Sequence, residues 1–144
     1  LAGARVGYAL GAQDLIGQFE KIRNHFGMNR AAQSAAEAAL NDQAWLLSVR
    51  DKVEASKQEI ARIADENGLS TVESATNFMA IDCGRDGVFA QAVLAHLVQA
   101  GLFVRMPFVA PQNRCIRVSA GRSEDMDLLR RALPKALAAA ASAG

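Results

Sequence analysis

The rhythm of apolar positions changes along the chain. Arg5 to Leu10 reads as a short strand ended by Gly11. From Gln13 the pattern turns helical: Leu15, Ile16, Phe19 and Ile22 recur at helical spacing, with Asp14 as the expected N-cap. Arg23 to Asn29 breaks the period and reads as a loop. Asn29 is placed to cap an alanine-rich helix from Arg30 to Leu40. Asn41 or Asp42 then opens a long helix to about Glu66. Leu46, Val49, Val53, Ile60 and Ile63 keep one face of it, while Arg50, Lys52, Glu54, Lys57, Glu59 and Arg62 occupy the others. Asn67-Gly68 predicts a left-handed C-cap.

From Leu69 the texture changes. Thr71 to Cys83 contains a strand with Asn77 to Asp82 at its core. Asp86 or Gly87 starts a helix from Val88 to Ala100, in which Val93, Leu94, Leu97 and Val98 are expected to be buried and which Gly101 caps. Leu102 to Arg105 is the expected second strand. Met106 to Arg114, with Pro107 and Pro111, is a loop, and Cys115 to Ala120 is the third strand. Ser123 is the expected cap of a last helix, with Glu124 and Asp125 in its positive first turn and Leu128, Leu129, Leu133 and Leu137 on its apolar face. Ala139 to Gly144 is expected to fray. The order from Leu69 to Leu137 is therefore β-α-β-β-α: a small three-stranded sheet with two helices on one face. No internal repeat is visible.

Composition narrows the classes. The chain has 144 residues, 51% hydrophobic and 22% charged, which is globular rather than disordered. Sixteen basic against fifteen acidic residues give a net charge of +1, so no footprint for nucleic acid is visible. There is no long apolar run and no signal-peptide pattern, and the expectation is a cytoplasmic protein without a membrane partner. Cys83 and Cys115 have no metal or redox spacing and read as reduced thiols in or near the core. The chain begins at Leu1 inside what reads as structure, and a strand over Val6 to Leu10 needs partners that its neighbours do not supply. The expectation is a fragment, or a chain whose earlier part is missing.

Ordered motifs then carry a resemblance. Leu1-x-Gly3-x-Arg5-Val6-Gly7 is similar to the second half of the cofactor-lysine signature of class I and II aminotransferases. Arg23 to Gln33 looks like the loop and helix that follow it in histidinol-phosphate aminotransferases. Asn77-Phe78, Gly101-Leu102-Phe103-Val104-Arg105 and Ile116-Arg117-Val118-Ser119-Ala120-Gly121 resemble that family's small-domain strands, in the right order. One departure stands out. Phe108-Val109-Ala110-Pro111-Gln112-Asn113-Arg114-Cys115 replaces the family's Gly-Tyr-Gly-Leu-Pro approach to the last arginine strand, which puts substrate identity in doubt.

The resemblance implies a fold-type I enzyme dependent on pyridoxal 5'-phosphate (PLP): α/β overall, with an α+β small domain. Residues 1–41 would be the tail of the large PLP-binding domain, 42–68 an interdomain helix, and 69–144 the small domain. It implies Arg5 as the ligand of the PLP phosphate, a role that a guanidinium's bidentate donors suit; a structural ion pair is the competing reading. It implies Arg117 on the substrate carboxylate, against a solvent-facing arginine, and Arg105 on a substrate phosphate, against a solvated strand end. Arg114 is a possible substitute for Arg105. Asn29 either faces the partner subunit's site in a homodimer or serves only as an N-cap. The cofactor lysine is expected upstream of Leu1, so no catalytic residue is expected in this chain, and the chain alone is expected to be inactive. The implied reaction is transamination between an amino acid or amino alcohol phosphate and a 2-oxo acid, 2-oxoglutarate with glutamate as the second pair; no metal is implied. A threonine-phosphate decarboxylase, the ligand-sensing domain of a transcription regulator and a non-catalytic module remain the alternatives.

Overall fold

The computed structural model describes residues 2–142. Leu1 of the opening motif, and Ala143 and Gly144 of the tail, lie outside the described residues. The chain divides into two compact units, residues 1–48 and 49–144.

In the first unit the expected strand over Arg5 to Leu10 does not form. Residues 2–4 make a single 3-10 turn, Arg5 takes a left-handed backbone with φ 55°, and residues 6–12 run without a ladder. A strand exists through the N–H and C=O groups of its neighbours, and no described strand pairs with this segment. Helix α1 spans Gln13–Ile22. Asp14, expected as its cap, lies inside the first turn, and Ala12 precedes the helix without a side-chain cap. Helix α2, Arg30–Asn41, is capped as expected: the Asn29 Oδ1 accepts the Ala32 N–H at 2.8 Å. Among the described residues of this unit only Ala32 is buried; Tyr8, Leu10, Ile22 and Phe26 all stand in solvent.

Helix α3, Gln43–Glu66, starts where the Asp42 carboxylate accepts the Trp45 N–H at 3.0 Å. Its end is the left-handed cap that Asn67-Gly68 predicts. Gly68 has φ 69°, its N–H reaches the Asp65 carbonyl, and the Leu69 N–H reaches the Ala64 carbonyl, both at 2.9 Å. That is the Schellman pattern, and it needs a residue without a Cβ.

The second unit holds an antiparallel sheet in the order β1 (Ser70–Val72), β2 (Phe78–Asp82), β3 (Cys115–Ser119). The stretch read as containing one strand carries two. Ser74 and Thr76 make a hydroxyl-bonded turn, with their oxygens 2.9 Å apart and the Thr76 N–H on the Ser74 hydroxyl at 3.1 Å, and this folds β1 back on β2. Helix α4, Gly87–Gln99, is capped by the Asp86 carboxylate on the Phe89 N–H and ended by Gly101 at φ 87°. Val98, expected in the core, is 47% exposed, because the buried stripe of α4 runs through Ala90, Val93 and Leu97.

Leu102 to Arg105 makes only one bridge, Arg105 opposite Arg117. The register would next pair Pro107 with Cys115, and Pro107 has no N–H to give.

Helix α5 spans Ser123–Ser142. Ser123, expected as its cap, is the first helical residue. The Arg122 carbonyl accepts the Met126 N–H, and the Asp125 carboxylate reaches back to the Arg122 N–H at 2.9 Å. The expected fraying from Ala139 does not occur in the described residues: α5 runs on to Ser142, with Ala140 buried.

Alternation in the strands sorts their side chains. Met79 with Val118 and Ile81 with Ile116 form cross-strand pairs on the face that meets the helices. Ile60, Ile63, Val93, Leu97, Leu129 and Leu133 complete that core. The opposite face carries Phe78, Ala80 and Arg117, half-buried, and across the bridge Arg105. Arg130 of α5 ties to α3 through ion pairs with Glu59 and Glu66.

Candidate functional site

The register determines the site. Arg105 and Arg117 exchange both backbone bonds, Arg105 N–H to Arg117 O at 3.2 Å and Arg117 N–H to Arg105 O at 2.6 Å. Residues in such a pair have Cα atoms about 5.5 Å apart and side chains on one face. Two guanidinium groups therefore leave the same side of the sheet next to each other. Neither makes an ion pair with a carboxylate among the described residues. Each instead lies by an aromatic ring: the Arg117 guanidinium is 4.7 Å from the Phe78 centroid, and that of Arg105 is 5.6 Å from Phe103.

The two arginines line a cavity of about 720 Å³. Gln91 and Leu94 of α4 line it with them, as do Phe103, Met106, Pro107 and Phe108. Like charges directly opposite each other destabilise a sheet, and a positive pair in a mostly apolar groove calls for an anion between or beside them. The register lets the pair hold one phosphate jointly, or two anionic groups of one small molecule.

The remaining sequence candidates fall elsewhere. The Arg114 Nε donates to the Asp82 carboxylate at 2.8 Å, which occupies it as a structural ion pair. Arg5 and Asn29 belong to the first unit. Arg5 stands exposed on its left-handed turn between Gly3 and Gly7, where an added Cβ would meet nothing within 4 Å. The Asn29 side-chain oxygen is committed to the α2 cap. Cys83 and Cys115 are buried free thiols; burial raises both above the ordinary thiol range, Cys83 to about 11. They are unsuited to nucleophilic work. No group of His, Cys, Asp and Glu among the described residues has the makings of a metal site, and no helix there is long and apolar enough to cross a membrane.

Sequence reasoning missed the aromatic partners. Phe78 appeared only as part of a motif and Phe103 only as a strand residue. The signal was present in part: Phe78 lies diagonal to Arg117 once β2 and β3 are paired, but that register is not readable from either strand alone.

Residues 1–133 match the family described as Aminotransferase class I and II. Histidinol-phosphate aminotransferase of Bacillus pumilus is 37% identical over 124 residues, covering 86% of this chain and 33% of that protein. The enzyme of the same name from a Geobacillus species is 35% identical over 140 residues, covering 95% of this chain and 37% of that protein. Among solved structures, histidinol-phosphate aminotransferase of Sinorhizobium meliloti, determined in complex with pyridoxal-5'-phosphate, superposes with a TM-score of 0.92 at 50% identity. The match covers 96% of this chain and 38% of that one. The chain thus spans little more than a third of the length of the proteins it matches.

Proposed function

The chain belongs to the class I and II aminotransferase family, and from that premise we propose that it serves a PLP-dependent aminotransferase of the histidinol-phosphate type. The observation that carries this reading is the Arg105–Arg117 pair, two cross-strand guanidiniums without a carboxylate facing one groove. In this proposal Arg117 holds the carboxylate of glutamate or 2-oxoglutarate, and Arg105 the phosphate of the amino alcohol phosphate. A bidentate guanidinium gives each anion direction as well as charge. Phe103, Met106, Pro107 and Phe108 line the groove beside the two arginines.

Arg5 is the proposed ligand of the cofactor phosphate. Its donor set suits a phosphate, and the open space beside Gly3 and Gly7 leaves the backbone approachable. When bound, PLP supplies an electron sink that acidifies the substrate Cα–H bond. The lysine that attaches it is expected from other residues of the protein, upstream of Leu1, as are the ring's other contacts. Asn29 is proposed to face the second site of a homodimer. The exposed apolar residues of the first unit, from Tyr8 to Phe26, support packing against further protein. The proposed setting is the cytoplasm, and the proposed second substrate pair is 2-oxoglutarate and glutamate.

The test uses the intact protein in two assays: histidinol phosphate with 2-oxoglutarate, read by glutamate formation, and threonine phosphate, read by carbon dioxide release. Arg117→Lys keeps the charge but loses the bidentate geometry, and kcat/KM should fall roughly 10- to 100-fold. Carbon dioxide release from threonine phosphate, with no glutamate formed in the first assay, would replace transamination with the decarboxylase reading. Absence of both, with no bound PLP, would reduce the protein to a non-catalytic module.

A further inference from the structure

We propose that Phe78 is the positioning residue of the anion site: its ring holds the Arg117 guanidinium in the orientation that binds. The inference rests on the anion-site reading above and adds a residue to it.

Four observations carry it. The ring centroid lies 4.7 Å from the Arg117 guanidinium carbon, inside cation–π range. Phe78 pairs in register with Ser119 and Arg117 with Ala80, so ring and guanidinium are diagonal neighbours on one face of β2–β3. Ala80, opposite Arg117, is small and leaves the ring room to reach across. Both Phe78 and Arg117 are half-buried, so the contact is partly shielded from water.

The physical need is plain. Arginine has several rotatable bonds, and an arginine free of carboxylate partners samples many rotamers at an entropic cost to any ligand that fixes it. A carboxylate partner would order it but would also compete with the ligand. An aromatic face orders the guanidinium plane while leaving its N–H edge free for a planar anion. The contact of Arg105 with Phe103 is looser, at 5.6 Å, and Phe103 is 80% exposed. Arg117 is therefore the preorganised half of the pair.

The experiment is an NMR titration of the 144-residue chain with inorganic phosphate, read at the arginine side-chain Nε–Hε signals. In the unliganded wild type, the Arg117 signal should already show an upfield ring-current shift. A random-coil position would overturn the proposal without any mutant. Phe78→Leu should weaken phosphate binding about fivefold, with the far-UV circular dichroism unchanged, and Phe78→Tyr should restore it. Should Phe78→Leu fail to fold, Phe78→Met and the wild-type ring-current shift decide the question. Unchanged affinity in the folded Leu or Met variant, while Arg117→Lys loses affinity, sinks the positioning role and leaves the anion site standing. If neither Arg117→Lys nor Arg105→Lys alters binding, the anion-site reading itself falls.

Discussion

Replacing Arg105 by Gln isolates the energetics of the like-charge pair. The Arg105–Arg117 register puts two guanidinium groups on one sheet face, each on a flexible stem that lets them splay to about 8 Å. At that distance, half in solvent, Coulomb repulsion costs about 0.5–1 kcal/mol, in line with like-charge cross-strand pairs. Arg105→Gln removes this cost but also the contact with Phe103. That contact is long and exposed, worth about 0.5 kcal/mol. The two effects nearly cancel, so the melting temperature of the variant in dilute buffer should lie within a few degrees of wild type. The informative quantity is the response to ions. One molar NaCl shortens the screening length to about 3 Å and relieves the repulsion only where both charges are present. Wild type should therefore gain about 0.5 kcal/mol more than the variant, roughly 2–4 °C in a unit of this size. Phosphate at ten times its dissociation constant should stabilise wild type by about 1.4 kcal/mol and the variant by clearly less. Thermal melts followed by far-UV circular dichroism suit the measurement. Equal NaCl and phosphate responses in the two proteins would refute both the repulsion and the anion site.

Two further outcomes test the fold beneath the site. Leu133→Ala empties a fully buried position where α5 meets the core, and denaturant unfolding should show a loss of about 3 kcal/mol; a loss below 1 kcal/mol would mean that the helix is not packed as described. Burial holds the Cys83 thiol at about 11 against an ordinary 9.0, so at pH 8 it should react with a disulfide reagent about 100-fold more slowly than in the unfolded chain. Because the folded value is the raised one, stability is fully present below pH 9 and falls as pH rises from 9 to 11, while the unfolded thiol ionises first.

Local chemistry made much of this protein legible from its residues. Asn29, Asp86 and the glycines at 68 and 101 mark helix ends because capping and left-handed turns are decided within a few neighbours. The α3, α4 and α5 helices follow from periodicity, and the ordered motifs around Arg5, Arg105 and Arg117 pointed to the family. What depended on partners was out of reach. The segment from Arg5 to Leu10 has strand-like residues but no ladder, since strand formation is a property of pairs. The turn at Ser74–Thr76 came from hydroxyl bonds, and the single bridge at Arg105 from the N–H that Pro107 lacks. The pairing of β2 with β3 came across the long connection that holds α4. The sequence alone thus named the two arginines of the groove. Only the tertiary register set them side by side with Phe78 beneath Arg117, because which residues face each other across strands depends on long-range pairing and not on the residues of either strand.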